Sequence, residues 1–346
     1  MSQTDNFAEQ EDDLYEHYRF VADPGQSLLR IDKFLMTRIE NASRNKIQQA
    51  ATAGSILVNG SAVKQNYKVK PGDVITIVLT EAPRDTEIIP ENIPVQIVFE
   101  DDDLLVVNKA AGMVVHPAYA NFTGTLVNAL TWYLMEQSGS EEARPYLVHR
   151  IDKDTSGIML VAKNEMAQTK LARAFFDHVI DRKYMALVWG NMEADEGTVA
   201  GKLGRSKNNR KVMTVYPEGE TGKHAVTHWK VLQRFGYVSL LECTLETGRT
   251  HQIRAHMQHI RHPLFNDAAY GGDQILKGTT FTKYRQFIKN CFAIMPRQAL
   301  HARSLGFNHP TTGQYLFFDS DLPADMQELV NKWEHYVIHK KSDGDI

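Results

Sequence analysis

Nine consecutive residues, HRIDKDTSG from His149 to Gly157, gather an imidazole, two cations, two carboxylates, two hydroxyls and a glycine. They stand directly before an apolar run, IMLVAKN, that reads as a strand. Loops at strand ends are where binding and catalytic groups collect, because a rigid scaffold holds them there. A nearby cation keeps a carboxylate ionised, the state in which it can act as a nucleophile. A well-capped turn would use many of the same residue types, so the stretch is a candidate site and not yet an activity.

Two other groupings invite chemistry. His251, His256, His259 and His262 lie within twelve residues. Their spacing is no known ligand pattern, and no metal is expected. GKLGRSKNNRK at 201–211 holds Lys202, Arg205, Lys207, Arg210 and Lys211 without one acid, and its glycines permit a hairpin. That suits a loop gripping phosphates, since phosphate contacts supply much of the affinity for nucleic acid. No glycine-rich phosphate cradle is present, which weighs against a nucleotide-dependent kinase or dehydrogenase.

The elements that position these residues fall into four segments. Residues 1–26 carry one basic against seven acidic side chains and read as a flexible acidic tail. Residues 27–80 carry eight against three, a net +5. Here SLLRIDKFLMTRI has helical spacing, Ser43 can cap a second helix ending at Gly54, and Asn59-Gly60 and Pro71-Gly72 mark turns between short strands. Residues 81–100, with three prolines and five acids, read as an extended linker. A large domain fills 101–346. Its strands and helices mix without a regular βαβ beat, which favours an α+β fold on a mixed or antiparallel sheet. The overall charge of −3 therefore hides two basic regions behind two acidic ones.

The order of motifs adds a resemblance. The N-terminal module resembles the S4 domain, a small RNA-binding unit, at Arg30, Asp32, Lys33, Ser43, Arg44, Ile47, the VNG at 58–60 and the PGD at 71–73. HRIDKDTSG resembles the active-site motif of the RluA family of pseudouridine synthases, with Ile151 where leucine is more usual. VNKAAGMVVHP at 107–117 is similar to the family's first motif, with Ala110 where proline is usual. RKYMALVWG at 182–190, LETGRTHQIRAHMQHIRHPLFNDAAYG at 245–271 and QALHARSLGFNHPTTG at 298–313 resemble later motifs in the same order. The S4 module and GTLVNAL at 124–130 are similar to the ribosomal members of D or C type.

The resemblance implies isomerisation of uridine to its C-glycoside in a structured RNA, most simply large-subunit ribosomal RNA, with no cofactor. It implies Asp152 as the carboxylate that attacks the ribose or assists a glycal, Arg249 as its paired cation, and Tyr184 as the aromatic that stacks on uracil and serves as base or proton relay. It implies that Arg150 fills the space left by a flipped base. Arg30, Lys33, Arg44, Lys46, Arg205, Lys207, Arg210 and Lys211 are the expected RNA contacts. His149 and Asp154 are expected to shape the loop. The competing readings are a non-catalytic ribosome-assembly factor of the same fold, a transfer RNA pseudouridine synthase, and a glycosidase-like enzyme. The last needs a second working carboxylate, for which Asp154 is the near candidate. No apolar run spans a bilayer, the N-terminus has no secretory pattern, and two cysteines suit a reducing compartment. A cytoplasmic monomer is expected.

Overall fold

The computed structural model describes residues 15–39, 42–79, 88–117, 122–206, 209, 212–217 and 221–342. The chain divides into two units, 1–87 and 88–346.

The N-terminal unit runs β1 (Tyr15–Val21), β2 (Leu29–Arg30), α1 (Ile31–Met36), α2 (Arg44–Thr52), β3 (Ile56–Val58), β4 (Ser61–Ala62), β5 (Lys68–Val69) and β6 (Val74–Leu79). Four strands form one sheet in the order β1-β6-β3-β4, and β2 pairs with β5. Ser43 caps α2 by accepting from the Lys46 backbone N–H at 3.3 Å. Ile31, Phe34, Leu35, Ile47, Ile56 and Ile75 close a core of their own. The segment expected as an acidic tail is corrected here: β1 lies inside it and pairs antiparallel with β6 along its length. Phe20 packs on the unit's core and Ala22 is buried, so the apolar alternation outweighs the acids around it.

The second unit runs β7 (Gln96–Glu100), β8 (Leu104–Lys109), α3 (Leu126–Ser138), β9 (Tyr146–Leu147), β10 (Ser156–Ala162), α4 (Glu165–Phe176), β11 (Asp181–Trp189), β12 (Glu196–Arg205), β13 (Met213–Tyr216), β14 (Lys223–Arg234), β15 (Val238–Leu245), α5 (Gln252–His259), α6 (Thr282–Ile294), β16 (Leu300–Asn308), β17 (Tyr315–Asp319) and α7 (Ala324–Ser342). All eleven strands join one sheet, in the order β13-β12-β14-β15-β11-β16-β10-β8-β7, with β17 on β16 and β9 on β10. The expected linker is also shorter than read. β7 at its end is a sheet strand, and residues 88–95 are fastened to α3, where Asn128 donates to the Ile89 carbonyl at 2.8 Å.

β11 shows how the sheet sorts its faces. Tyr184, Ala186 and Val188 enter one core with Leu241 and Cys243, while Met185, Leu187 and Trp189 enter another beneath α6 and α7. That is the period of two expected of a strand buried on both sides. The site lies where the sheet narrows. β10 and β16 are parallel and pair only through Ser156↔His301 and Gly157↔Ala302, after which β9 takes one side of β10 and β17 one side of β16. Gly157 is required there. A Cβ on it would lie 2.1 Å from the Ala302 carbonyl oxygen. Ala302 also aligns with Tyr184 across β11, so this close approach sets the loop before β10 beside Tyr184.

Candidate active site

The loop before β10 is held almost entirely through its backbone. The Asp152 carbonyl accepts from Thr155 N–H at 3.1 Å, closing a turn. The Lys153 carbonyl accepts from Gly112 N–H at 2.9 Å and from the Lys109 ammonium at 3.0 Å. The Asp154 carbonyl accepts from Arg297 at 2.8 Å, and Arg297 is itself clamped by both oxygens of Asp325 on α7. Ser156 meets His301 at 3.0 Å. Such backbone anchoring leaves the Asp152 side chain aimed while its carboxylate stays available for chemistry.

Lys109 is 1% exposed, and burial pushes its ammonium down to about 7. It donates to three carbonyls, of Ala110, Met113 and Lys153, and only the charged form has three N–H groups to give. His149 is fixed in the neutral state. Its Nε2 accepts from Leu160 N–H at 2.9 Å, its ring stacks on Phe175, and burial pushes it down to about 3. It is a shaping residue and no general acid.

The cation that meets Asp152 is Arg254. Its Nη1 donates to Asp152 Oδ2 at 3.0 Å, while Nε and Nη2 grip both oxygens of the buried Asp267 at 2.7 and 2.8 Å. Burial works against this charge, and the two carboxylates outweigh burial and push its pKa up. The expected pairing of Arg249 with Asp152 is therefore corrected. Arg249 precedes α5 in a loop, and its Nε donates to the His224 carbonyl at 3.1 Å. His251 occupies the left-handed region at φ 52°, an unusual conformation for a non-glycine residue, and starts the helix abruptly at Gln252. The chain thus turns between the two arginines, and the one inside α5 reaches the carboxylate.

His251 Nε2 stands 3.8 Å from Asp152 Oδ2, and its Nδ1 meets the Tyr270 hydroxyl at 3.0 Å. Burial holds its pKa below the ordinary value, with Asp152 pulling the other way. Tyr184 is buried; desolvation, with Asp152 adding to it, pushes its phenol up, against the opposing pull of Arg182. Asp152, Tyr184, Arg249, Arg254, His251 and Arg182 all line one cavity of about 630 Å³, within the usual range for a small-ligand site. Arg150 is exposed and lines the same cavity.

The histidines do not converge. His251 faces Asp152 and Tyr270, His256 meets Thr227 at 2.9 Å, and His262 meets the Trp189 carbonyl. Among the described residues no three His, Cys, Asp or Glu side chains gather as a metal site. Of the expected RNA contacts, Lys33 and Lys46 are exposed, whereas Arg30 and Arg44 are both tied to Asp32. Arg205 is exposed at the end of β12, on an antiparallel hairpin with β13. Lys207, Arg210 and Lys211 lie outside the described residues.

A carboxylate with one anchored and one open oxygen, set in a cavity beside a buried tyrosine, is what the resemblance to pseudouridine synthases requires. Residues 103–259 match the RNA pseudouridylate synthase family, and residues 29–75 match the S4 domain. An uncharacterized RNA pseudouridine synthase of Chlorobaculum parvum is 47% identical over 89% of this chain and 94% of its own length. The chain belongs to the RluA family of pseudouridine synthases. A ribosomal large subunit pseudouridine synthase D of Zymomonas mobilis is 43% identical over 87% of this chain and 92% of that one. The fold is shared with human RNA pseudouridylate synthase domain containing 4, at TM-score 0.54 and 22% identity over 69% of this chain and 93% of that one. An RluA-family enzyme is an isomerase acting on RNA, so the reading as a non-catalytic assembly factor falls away. No helix among the described residues is long and apolar enough to cross a membrane.

Sequence reasoning missed four residues that the structure brings to the site or its support. Arg254 stood in the motif GRTHQIR, five residues after the arginine that was singled out. Lys109 and Arg182 stood in the motifs too, but as ordinary cations, and Arg297 stands directly before the motif at 298–313. For Arg254, Lys109 and Arg297 the signal is burial, which a sequence does not print; Arg182 shares a strand face with Tyr184, two residues on.

Proposed function

We propose that this enzyme isomerises uridines in large-subunit ribosomal RNA, with Asp152 as the reacting carboxylate and Arg254 as its counter-charge. The observation that carries the reading is the asymmetry of Asp152. Oδ2 is engaged by Arg254, and Oδ1 has no hydrogen bond among the described residues. An oxygen with unshared lone pairs beside a cavity is able to approach C1′ of a ribose or to take a proton from C2′. Arg254, locked by Asp267, fixes the carboxylate without moving when the substrate arrives. Tyr184, buried at the same cavity, suits a stacking platform for the uracil and a base or proton relay beside it. Arg150, exposed at the same cavity, suits the space that a flipped base leaves behind.

Ribosomal RNA is favoured by the named function of relatives 43% and 41% identical, from Zymomonas mobilis and Vibrio vulnificus. The S4 unit supplies a second grip on folded RNA through Lys33, Lys46 and the arginines around Asp32. Both cysteines are buried and unpaired, which fits work in the cytoplasm. The test is pseudouridine mapping of ribosomal and transfer RNA from cells with and without the gene. Pseudouridines should disappear from large-subunit ribosomal RNA. Loss confined to transfer RNA would overturn the substrate.

A further inference from the structure

Three arginines in the described chain are more than nine-tenths buried: Arg182, Arg254 and Arg297. Two of them hold a carboxylate with both arms, Arg254 on Asp267 and Arg297 on Asp325. Arg182 holds none. Among the described residues no acidic side chain pairs with it, and its Nε has no acceptor. The guanidinium faces a ring instead, lying 5.4 Å from the centre of Phe175. Yet it is firmly seated. A Cβ on Gly248 would come 2.6 Å from its Nη1, so the bare backbone of the GRTHQIR loop is what makes room for it.

An N–H cut off from water without an acceptor costs free energy, and Nε of Arg182 is in that state while the residue lines the cavity, the side from which a partner can arrive. Burial lowers the pKa of Arg182, but a guanidinium remains protonated in any working range. A cation retained under these conditions calls for an anion that arrives during the reaction. Its position says which anion. Arg182 and Tyr184 are two residues apart on β11, both buried and both lining the cavity that holds Asp152. Arg182 already acts electrostatically on Tyr184, lowering the pKa that burial raises.

The chemistry supplies such an anion. Whether Asp152 bonds to C1′ or takes the C2′ proton, the C1′–N1 bond breaks with its electron pair going to N1. Uracil is then a detached monoanion, its charge shared by N1 and the carbonyl oxygens. It turns, and C5 bonds to C1′ as the Asp152–C1′ bond breaks or, on the other route, as Asp152 returns its proton to C2′; C5 then gives up its proton and N1 takes one up, so that overall one proton passes from C5 to N1. Atoms and electrons balance with no other reactant. Between bond breaking and bond making, the negative charge rests on the base.

We propose that Arg182 is a catalytic residue whose unpaired guanidinium receives the uracil anion and holds it during rotation. Its planar donors match the adjacent N1 and O2 of the anion as they match a carboxylate. Because the charge exists only after the bond breaks, the contact stabilises the transition state more than the bound substrate. A phosphate of the RNA is the other anion available. It would bind equally before and after bond breaking, and the exposed Arg150 offers it a cation without the cost of burial. This assignment rests on the isomerase reading of the site.

The experiment compares Arg182→Gln, Arg182→Met and Arg182→Lys with the parent, on an RNA that the parent turns over, by single-turnover tritium release from C5-labelled uridine. Loss of one donor aimed at developing charge typically lowers rate on the order of 10²–10³-fold, and Gln and Met should fall by that much at saturating RNA. RNA affinity should stay at the parent level, and Lys should be intermediate. Replacing the target uridine by 5-fluorouridine acidifies N1, so consumption of the fluorinated nucleoside should suffer less from the substitutions. Arg182→Met should also raise the melting temperature, because an unpaired buried charge is gone. Weakened RNA binding with a normal saturating rate would make Arg182 a phosphate contact and overturn the assignment. A lower melting temperature with activity lost in proportion to unfolded protein would overturn it in favour of a structural role. Parent turnover on the same RNA keeps these outcomes separate from any failure of the isomerase reading.

Discussion

Asp32 in the N-terminal unit and Asp152 in the catalytic unit are both aspartates beside arginines, yet their environments differ in kind. Asp32 is fully buried and saturated. It accepts from Arg30 at 3.1 and 2.9 Å, from Arg44 at 3.1 Å, from Gln48 at 3.2 Å and from Lys33 N–H at 2.9 Å. Asp152 is about one-fifth exposed and takes one hydrogen bond from Arg254. A carboxylate whose lone pairs are all engaged is a structural clamp, because attack on anything would first break the clamp. One with an open oxygen is reactive, and its orientation is fixed from behind, through the carbonyls of its loop and through the Asp267 grip on Arg254. The difference shows that proximity to arginine does not mark a catalytic aspartate. Unsatisfied valence within a held geometry does.

The largest effect should come from Asp152→Asn. The amide keeps shape but removes the nucleophilic charge, so tritium release from C5-labelled RNA should fall below detection while filter binding is largely retained. Measurable turnover by the Asn variant would remove Asp152 from the chemistry and collapse the contrast with Asp32.

The two arginines of GRTHQIR sharpen the comparison. Arg254→Ala leaves Asp267, 1% exposed, without its cation, which should cost about 3–5 kcal/mol of stability along with the activity. Arg249→Ala removes a bond to a backbone carbonyl and should leave stability near the parent value. Urea unfolding of both variants, paired with single-turnover rates, reads this. Equal damage from the two substitutions would restore Arg249 as the partner of Asp152.

Why the sequence pointed to the wrong arginine is a matter of backbone. HRIDKDTSG was legible because its chemistry is contiguous and sits before an unmistakable strand, β10. The S4-like elements were legible because turns and the Ser43 cap are local. The Arg249–Arg254 choice depends on where α5 begins, and that is set by the left-handed conformation of His251, which no spacing reveals. The acids around Tyr18 and Phe20 hid β1, since its partner β6 is over fifty residues away. Similarly, the prolines before β7 hid the last strand of the large sheet. Arg182 had a readable signal that was passed over: on a strand already marked by Tyr184, the residue two before it lies on the same face.

The smallest effect, and the one that tests the other half of the comparison, is Asp32→Asn. Burial alone would raise the carboxyl of Asp32, but the hydrogen bonds from Arg30, Gln48 and Arg44 outweigh it and bring the pKa from 3.8 down to about 2. A carboxylate depressed in the folded state binds protons less readily than in the unfolded chain. Its stabilisation is therefore present above pH 3.8 and is lost as pH falls through about 2. At neutral pH the Asn variant turns an N–H group toward arginine donors, and loss of hydrogen bonds to a charged group should cost about 1–3 kcal/mol. The loss should be confined to the N-terminal unit, read as reduced amide protection over residues 29–75 in hydrogen exchange. Turnover at saturating RNA should persist, because every residue assigned to the chemistry lies in the other unit. As the solution is acidified toward pH 2, the parent should lose its advantage and the two proteins should converge, followed by dispersed amide resonances of the same residues. If the parent held its lead at that pH, the clamp would not be the source of the stability, and saturation of Asp32 would not be what separates it from Asp152.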